Sequence, residues 1–318
     1  MANASTRVAG QLNGVGRCLW RICQWAEREM FGGFDGWLGN VERERNAELF
    51  VSLQIEMDRI ENIDYLVGGL LREQQREMAL PGTLEEKQAL LRALMNIRPP
   101  WPATDEWLRC QDRELAWQLE DKGIVELEEM ETVMQSELYT LRLWQGDITR
   151  VHADAIVNAA NSQMLGCFVP LHRCIDNAIH SAAGIQLRLE CARIVEGDEP
   201  TGSARITGGY NLPSRHVIHT VGPIIPNGVP TAEQERQLAS SYRSCLSLAD
   251  EKGLTDIVFC CISTGEYRFP NQRAARIAVD TVRQYMEGYR RNTSLKTVVF
   301  NVYKDIDYDA YRAIFEKG

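Results

Sequence analysis

The sequence predicts an α/β protein, a layered sheet domain preceded by an all-helical segment. Three observations support this. From about residue 138 onward, short runs rich in β-branched residues alternate with helical segments, the pattern of an α/β layered sheet. From residue 46 to about 135, apolar residues recur at helical spacing between capping signals. The chain has 318 residues, of which 44% are hydrophobic and 25% charged; this is globular composition, with length for about two domains.

The opening residues carry no evident chemistry. Glycine-rich breaks fall at Gly14–Gly16 and Gly32–Gly39, with Leu19, Ile22, Cys23 and Trp25 on one apolar helical face between them. Arg7, Arg17 and Arg21, with no acid in the first 26 residues, fit a mitochondrial presequence, but the simpler reading is an N-terminal extension. A helix is predicted over 46–78, weakened locally at Gly68–Gly69. Thr83 reads as an N-cap with Glu86 completing a capping box, and that helix stops before Pro99–Pro100. Thr104 caps another helix, with Asp105 and Glu106 in its first turn and Gly123 as C-cap. The acids Glu126, Glu128, Glu129 and Glu131 read as a solvated face.

Beyond Glu137, strands are predicted at Leu138–Trp144, Ala155–Asn158, Ala204–Gly208, Val217–Val221, Ile257–Ile262 and Thr297–Val302. Helices are predicted near 177–195, 232–252, 271–290 and 308–316. In such sheets the ligand crevice forms from loops leaving the carboxyl ends of strands. Asn158 to Gly184, NAANSQMLGCFVPLHRCIDNAIHSAAG, leaves the strand at Ala155 and therefore falls there.

Charge and cysteine usage narrow the function classes. A net charge of -9 argues against nonspecific nucleic-acid or acidic-membrane binding, which needs a basic face. No run of about 18 apolar residues exists to span a membrane. Nine irregularly spaced cysteines favour a reducing, cytoplasmic setting, with thiols or metal ligands rather than a disulfide framework.

Four motifs can carry chemistry. Gly146-Asp147-Ile148-Thr149 after the first strand is either a capped turn or a polar contact to a base; alone, the turn is favoured. Ser263-Thr264-Gly265-Glu266-Tyr267 follows a buried strand, where backbone amides can cradle phosphates, or serves as a strand-to-helix loop. Cys167-x4-His172-x-Cys174 offers two thiolates and an imidazole. That donor set suits Zn²⁺ and leaves a fourth position open; the alternative is incidental thiols beside a loop histidine. Asn158 and Asn161 either donate to sugar hydroxyls or hold the strand-end turn. Asp176 reads as an N-cap or as a carboxylate aimed at the same sugar. His180 reads as a satisfied helix residue, His216 and His219 as structural, and His152 has no evident partner.

The order LWQGDITRVHADAIVNAANS, IDNAIHSAAG, HVIHTVGP, STGEYRFP resembles a macrodomain, the ADP-ribose-binding α/β/α fold. GCFVPLHRC stands where macrodomains usually have a glycine-rich loop, which resembles the zinc-containing branch, the Zn-macro ADP-ribosylhydrolases. LPGTLEEKQALLRALMNIRPPWPATDEWLRCQDREL also resembles that branch's helical N-terminal part. The likeness covers about 60–318 and implies a three-layer α/β/α macrodomain with a mixed central sheet over 136–318. Before it lie a helical segment over 46–135 and an extension over 1–45.

Carried over by this resemblance, Asp147 and Ile148 contact adenine and Ser263, Thr264, Gly265, Glu266 and Tyr267 wrap the diphosphate. Asn161 contacts the distal ribose, which the backbone of Cys174, Ile175 and Asp176 lines. Asp176 and Asn161 are the expected catalytic residues, and Cys167, His172 and Cys174 hold one Zn²⁺ per chain. Glu266 and Arg268 stand where many macrodomains have a small or apolar residue and a glycine, so Glu266 is expected near the metal or ribose. The implied activity is removal of mono-ADP-ribose from modified proteins, ester-linked to Asp or Glu. The alternatives are a non-catalytic ADP-ribose reader with structural zinc, or an O-acetyl-ADP-ribose hydrolase. The family further implies a sirtuin-like ADP-ribosyltransferase and a lipoyl-carrier protein as partners.

Overall fold

The computed structural model describes residues 58–288 and 292–316. The N-terminal extension and the first part of the 46–78 helix lie outside the described residues. Residues 61–318 form one compact unit.

Helix α1 (58–73) ends in a turn several residues before the predicted limit. Helix α2 (Leu84–Ile97) begins at Thr83, whose hydroxyl accepts from the Glu86 amide while Glu86 reaches back, as the capping-box spacing requires. Helix α3 (Asp105–Lys122) starts at Thr104 and closes at Gly123, with φ 73°. The three helices share a core of Ile63, Leu66, Leu91, Leu94 and Trp107, joined by Ile185 from the sheet domain. Trp107 donates its indole N–H to Leu66 O at 3.3 Å, which places a polar atom in this core without leaving it unbonded.

Seven strands follow: β1 (Glu131–Gln135), β2 (Thr140–Gln145), β3 (Ala155–Ala159), β4 (Ala204–Gly208), β5 (His216–Thr220), β6 (Asp256–Phe259) and β7 (Thr297–Val302). The helices between and after them are α4 (Ile175–Ala183), α5 (Ile185–Ile194), α6 (Ala232–Glu251), α7 (Asn271–Gly288) and α8 (Asp305–Phe315). The sheet is mixed, in the order β1-β2-β7-β6-β3-β5-β4, with β1 and β4 antiparallel at the edges and the five inner strands parallel.

Register separates the two faces. Val157, Phe259 and Phe300 point one way, where Phe259 meets Tyr242 of α6 and Phe300 meets Tyr311 of α8. Asn158 and His219 point the other way, towards Asp176 of α4 and Cys191 of α5. The result is the expected three-layer α/β/α domain.

Two expectations are corrected. The segment read as helical to about 135 ends in a strand, β1, whose exposed Glu131 and Gln135 alternate poorly with its half-buried centre. The helix read over 177–195 is two helices, broken at Gly184. That residue adopts φ 91°, and a Cβ there would lie 2.6 Å from Gln111 Nε2.

Candidate functional site

Because the five inner strands are parallel, their carboxyl ends open on one side. Asp147 follows β2, the Ser263–Tyr267 loop follows β6, and Asn161 through Cys174 follow β3. Strand order therefore spreads these motifs across the sheet as Asp147, then the small-residue loop, then the thiol–imidazole block.

Asp147 fills the turn role: it caps the 3-10 turn Ile148–Arg150, with Oδ1 accepting from the Thr149 amide and hydroxyl. Its Oδ2 faces Lys122 Nζ of α3 at 3.4 Å and is half exposed. A cavity of about 350 Å³ opens here between α2, α3 and α4, lined among others by Arg92, Lys122, Asp147, Thr149, Leu171 and Ala178. Its lining does not reach the Ser263–Tyr267 loop.

That loop is held in an unusual conformation. Ser263 and Arg268 both adopt left-handed backbone, with φ 67° and 58°. Phe269 N donates to Ser263 O at 2.9 Å and Arg268 N to Gly265 O at 3.1 Å, closing it into a compact turn. The Ser263 hydroxyl is buried and unpaired. It lies against Gly222, where a Cβ would come within 2.0 Å of Ser263 Oγ; only glycine allows this approach.

In the block after β3, Cys167 Sγ lies 3.6 Å from His172 Nδ1, and the donor atoms of Cys167, His172 and Cys174 all fall within 4.8 Å of one another. A tetrahedral Zn²⁺ bound to one sulfur and one nitrogen holds those atoms about 3.5 Å apart. The donor set and its spacing therefore fit zinc. Burial pushes the Cys174 thiol up to about 12, and the charges of Cys167 and Asp176 push the same way. Zinc binds the thiolate form, so a metal held here would displace that proton. His172 Nε2 faces Glu266 Oε1 at 3.6 Å, which places Glu266 beside the block.

Helix α4 starts here, and its N-cap is Cys174, whose sulfur accepts from the Asn177 amide at 3.4 Å. This corrects the N-cap reading of Asp176, which instead sits in the first turn, 5% exposed. Asn158 Nδ2 donates to Asp176 Oδ1 at 2.8 Å, and Asn161 Nδ2 approaches Oδ2 at 3.4 Å. Asn158 is fully buried, so it orients Asp176 rather than facing a sugar. Asn161 also shapes the loop, donating to Gly166 O at 3.1 Å and accepting from Gln163 N. Burial raises the Asp176 carboxyl to about 6, opposed by the Asn158 hydrogen bond and the charge of Arg188.

A second cluster, His180, Cys191 and His219, also has its donor atoms within 4.8 Å and is fully buried. It does not suit a metal. Asn158 Nδ2 points at His219 Nδ1 at 3.1 Å, so Nδ1 accepts and Nε2 carries the proton, which Thr207 Oγ1 accepts at 3.0 Å. Neither imidazole nitrogen of His219 is then left as a ligand. Burial holds His219 down to about 3 and His180 well below the usual histidine range, so both rings are neutral. His180 is not the satisfied helix residue expected: neither ring nitrogen has a hydrogen-bond partner, although Nε2 lies 3.6 Å from Asp176 Oδ1. His152, read as partnerless, bonds Glu126 at 2.8 Å.

Sequence reading missed the residues that hold this block, Arg92 and Asn96 of α2 and Asn177 of α4. Arg92 and Asn96 reach it from 80 and 75 positions away, and no local pattern encodes such a contact; Asn177 lies close in sequence but reads there only as a helix residue.

The fold and the site thus define an α/β/α domain with three loops at the carboxyl ends of its parallel strands and a thiol–imidazole block at one end. Comparison with known proteins makes this specific. The family model for the macro domain matches residues 157–278. The chain is 46% identical over 255 residues to a "Protein-ADP-ribose hydrolase" of Treponema medium, covering 79% of this chain and 96% of that protein. It is 43% identical over 260 residues to the protein of the same name from Staphylococcus aureus (strain MRSA252), covering 80% and 95%. It also spans 40% of a "Probable bifunctional ADP-ribose hydrolase/ADP-ribosyltransferase" of Fusarium oxysporum f. sp. cubense, at 39% identity over 242 residues and 71% of this chain. Among solved structures it resembles the Trypanosoma brucei macrodomain in complex with ADP-ribose, with TM-score 0.55, 32% identity and coverage of 67% of this chain and 91% of that one. The chain belongs to the macrodomain family.

Proposed function

We propose that this protein hydrolyses the bond between ADP-ribose and a modified protein, releasing ADP-ribose and the free side chain. The observation that carries it is the buried Asp176, held by Asn158 and Asn161 directly beside the thiol–imidazole block. The names of the bacterial relatives, matched over nearly their whole length, support the same activity.

In this reading Asp147 and the Ile148 backbone bind adenine, and the loop of Ser263, Thr264, Gly265, Glu266 and Tyr267 wraps the diphosphate. The backbone of Cys174 to Asp176, with Asn161, receives the distal ribose. The spread of the three loops along the sheet matches that elongated ligand. Remote contacts then fix the reacting C1″ against Asp176, so binding far from the bond lowers the barrier to breaking it. Asp176, with its raised carboxyl pKa, orients or deprotonates the attacking water as a general base. Cys167, His172 and Cys174 would hold Zn²⁺, with Glu266 at the edge of the site. Bound zinc would supply Lewis-acid polarisation of a substrate or water oxygen.

The substrate proposed is mono-ADP-ribose ester-linked to Asp or Glu. A separate or fused ADP-ribosyltransferase would supply it, and the fused transferase in the name of the Fusarium relative supports such a pairing. The test is incubation with proteins mono-ADP-ribosylated on Asp/Glu or on Ser, measuring free ADP-ribose. Release from the Asp/Glu-modified protein is expected. Label retained on both over many hours would make the protein a reader. Preference for O-acetyl-ADP-ribose in direct competition would make it a metabolite hydrolase.

A further inference from the structure

Helix α2 presents two polar residues four positions apart, Arg92 and Asn96, on the side that meets the thiol–imidazole block. Asn96 is 1% exposed. The Arg92 guanidinium donates through Nε and Nη2 to Asn177 Oδ1, at 3.2 and 2.7 Å, and through Nη2 to the main-chain oxygen of His172 at 3.2 Å. Asn96 Oδ1 accepts from Leu171 N at 3.0 Å, and Asn96 Nδ2 donates to Ser181 Oγ at 3.0 Å. Asn177, fully buried, passes this on: its Nδ2 donates to Val169 O at 3.0 Å and Cys167 O at 3.5 Å. Its own amide donates to Cys174 Sγ.

All three residues of the block are thus fixed through their own backbone or sulfur, His172 by Arg92 and both Cys167 and Cys174 by its direct partner Asn177. Leu171 sits between Pro170 and His172 in left-handed backbone, φ 55°, an unfavourable conformation for a leucine. Its amide is tied to Asn96 Oδ1, and the turn around it is closed by His172 N donating to Val169 O at 3.2 Å. From the sheet domain, the 5%-exposed Arg188 fastens the other side, bonding Leu165 O at 2.6 Å and Met95 O of α2 at 2.9 Å.

We infer that Arg92 and Asn96 are positioning residues for the metal block: helix α2 preorganises Cys167, His172 and Cys174, so the helical segment sets metal affinity. The inference rests on the proposal that this block binds zinc. Outer contacts that orient ligands typically change metal affinity by about 10- to 100-fold when removed. A lysine at position 92 keeps the charge but cannot reach two acceptors with one planar fork.

The experiment is zinc affinity and zinc release rate of the full chain, by competition with a chromophoric chelator, for the wild type, Arg92→Ala, Arg92→Lys, Asn96→Ala and Trp107→Phe. Trp107→Phe loosens the helical segment's own core without touching the block and serves as the stability control. ADP-ribose affinity of each metal-free protein is measured alongside. Zinc affinity is expected to fall about 10-fold or more in the Arg92 and Asn96 variants and to hold in Trp107→Phe, whose melting temperature alone should drop. If Arg92→Ala does not fold, Arg92→Lys and Asn96→Ala carry the test. A wild type that fills with zinc beside Arg92 and Asn96 variants of equal zinc affinity overturns the brace and leaves the metal site standing. A wild type that takes up no zinc removes the metal site and the brace with it.

Discussion

Asp176→Asn separates chemistry from binding. The carboxylate receives two amide donors, Asn158 Nδ2 at Oδ1 and Asn161 Nδ2 at Oδ2. An asparagine of the same volume accepts with only one atom, so its N–H₂ must face another N–H₂ in a site that is 5% exposed. Leaving a buried polar group unpaired costs about 1–3 kcal/mol, or a fall in melting temperature of about 2–5 °C in a chain of this size. Loss of a general base costs about 10²- to 10⁴-fold in turnover, equivalent to about 2.7–5.4 kcal/mol of barrier. The assay is initial-rate ADP-ribose release from an Asp/Glu-modified protein, with ADP-ribose binding followed by calorimetry. Turnover should fall by at least two decades while affinity stays within about threefold, under 0.7 kcal/mol. Turnover within a few-fold of wild type would refute the role of Asp176.

Other perturbations probe the frame around the site. Gly222→Ala would drive a methyl into Ser263 Oγ, 2.0 Å from the ideal Cβ, so the Ser263–Tyr267 loop must shift. ADP-ribose affinity should fall at least about tenfold with the fold intact by circular dichroism, and unchanged affinity would exclude that loop from the ligand. Gly184→Ala places a side chain at φ 91° and against Gln111, and should lower the melting temperature by several degrees for a cost of about 1–3 kcal/mol. His219 should also leave a mark on acid stability. Its folded pKa, about 3, lies below the ordinary 6.5, so its contribution is complete above 6.5 and is lost as pH falls, because the unfolded chain takes the proton first. Between pH 6 and 5 the wild type should lose about 1.2 kcal/mol that a His219→Gln variant keeps, read from urea unfolding. Equal slopes in the two proteins would contradict a buried neutral His219.

Much of this frame is written in local sequence. Thr83 with Glu86, Thr104 and Gly123 mark helix ends by short-range chemistry that tertiary contacts do not override. Strands β3 and β7 are apolar runs buried on both faces and stand out for that reason. Edge strand β1 is different: its exposed Glu131 and Gln135 read as a helical surface because an edge strand need bury little. The Gly184 break was hidden because apolar residues continue in helical phase on both sides of it. In the site, the short spacing of Cys167, His172 and Cys174 made their convergence legible. The Asn158–Asp176 and Arg92–Asn177 contacts join distant segments, and only the fold creates them.

Zinc-dependent turnover on a mono-ADP-ribosylated protein joins the thiol–imidazole block to the chemistry. The protein is stripped with a chelator, its metal content verified, and ADP-ribose release from an Asp/Glu-modified substrate is measured before and after adding one equivalent of Zn²⁺. We predict release that vanishes with the metal and returns with it. Full activity of the verified zinc-free protein would contradict a metal-assisted hydrolase.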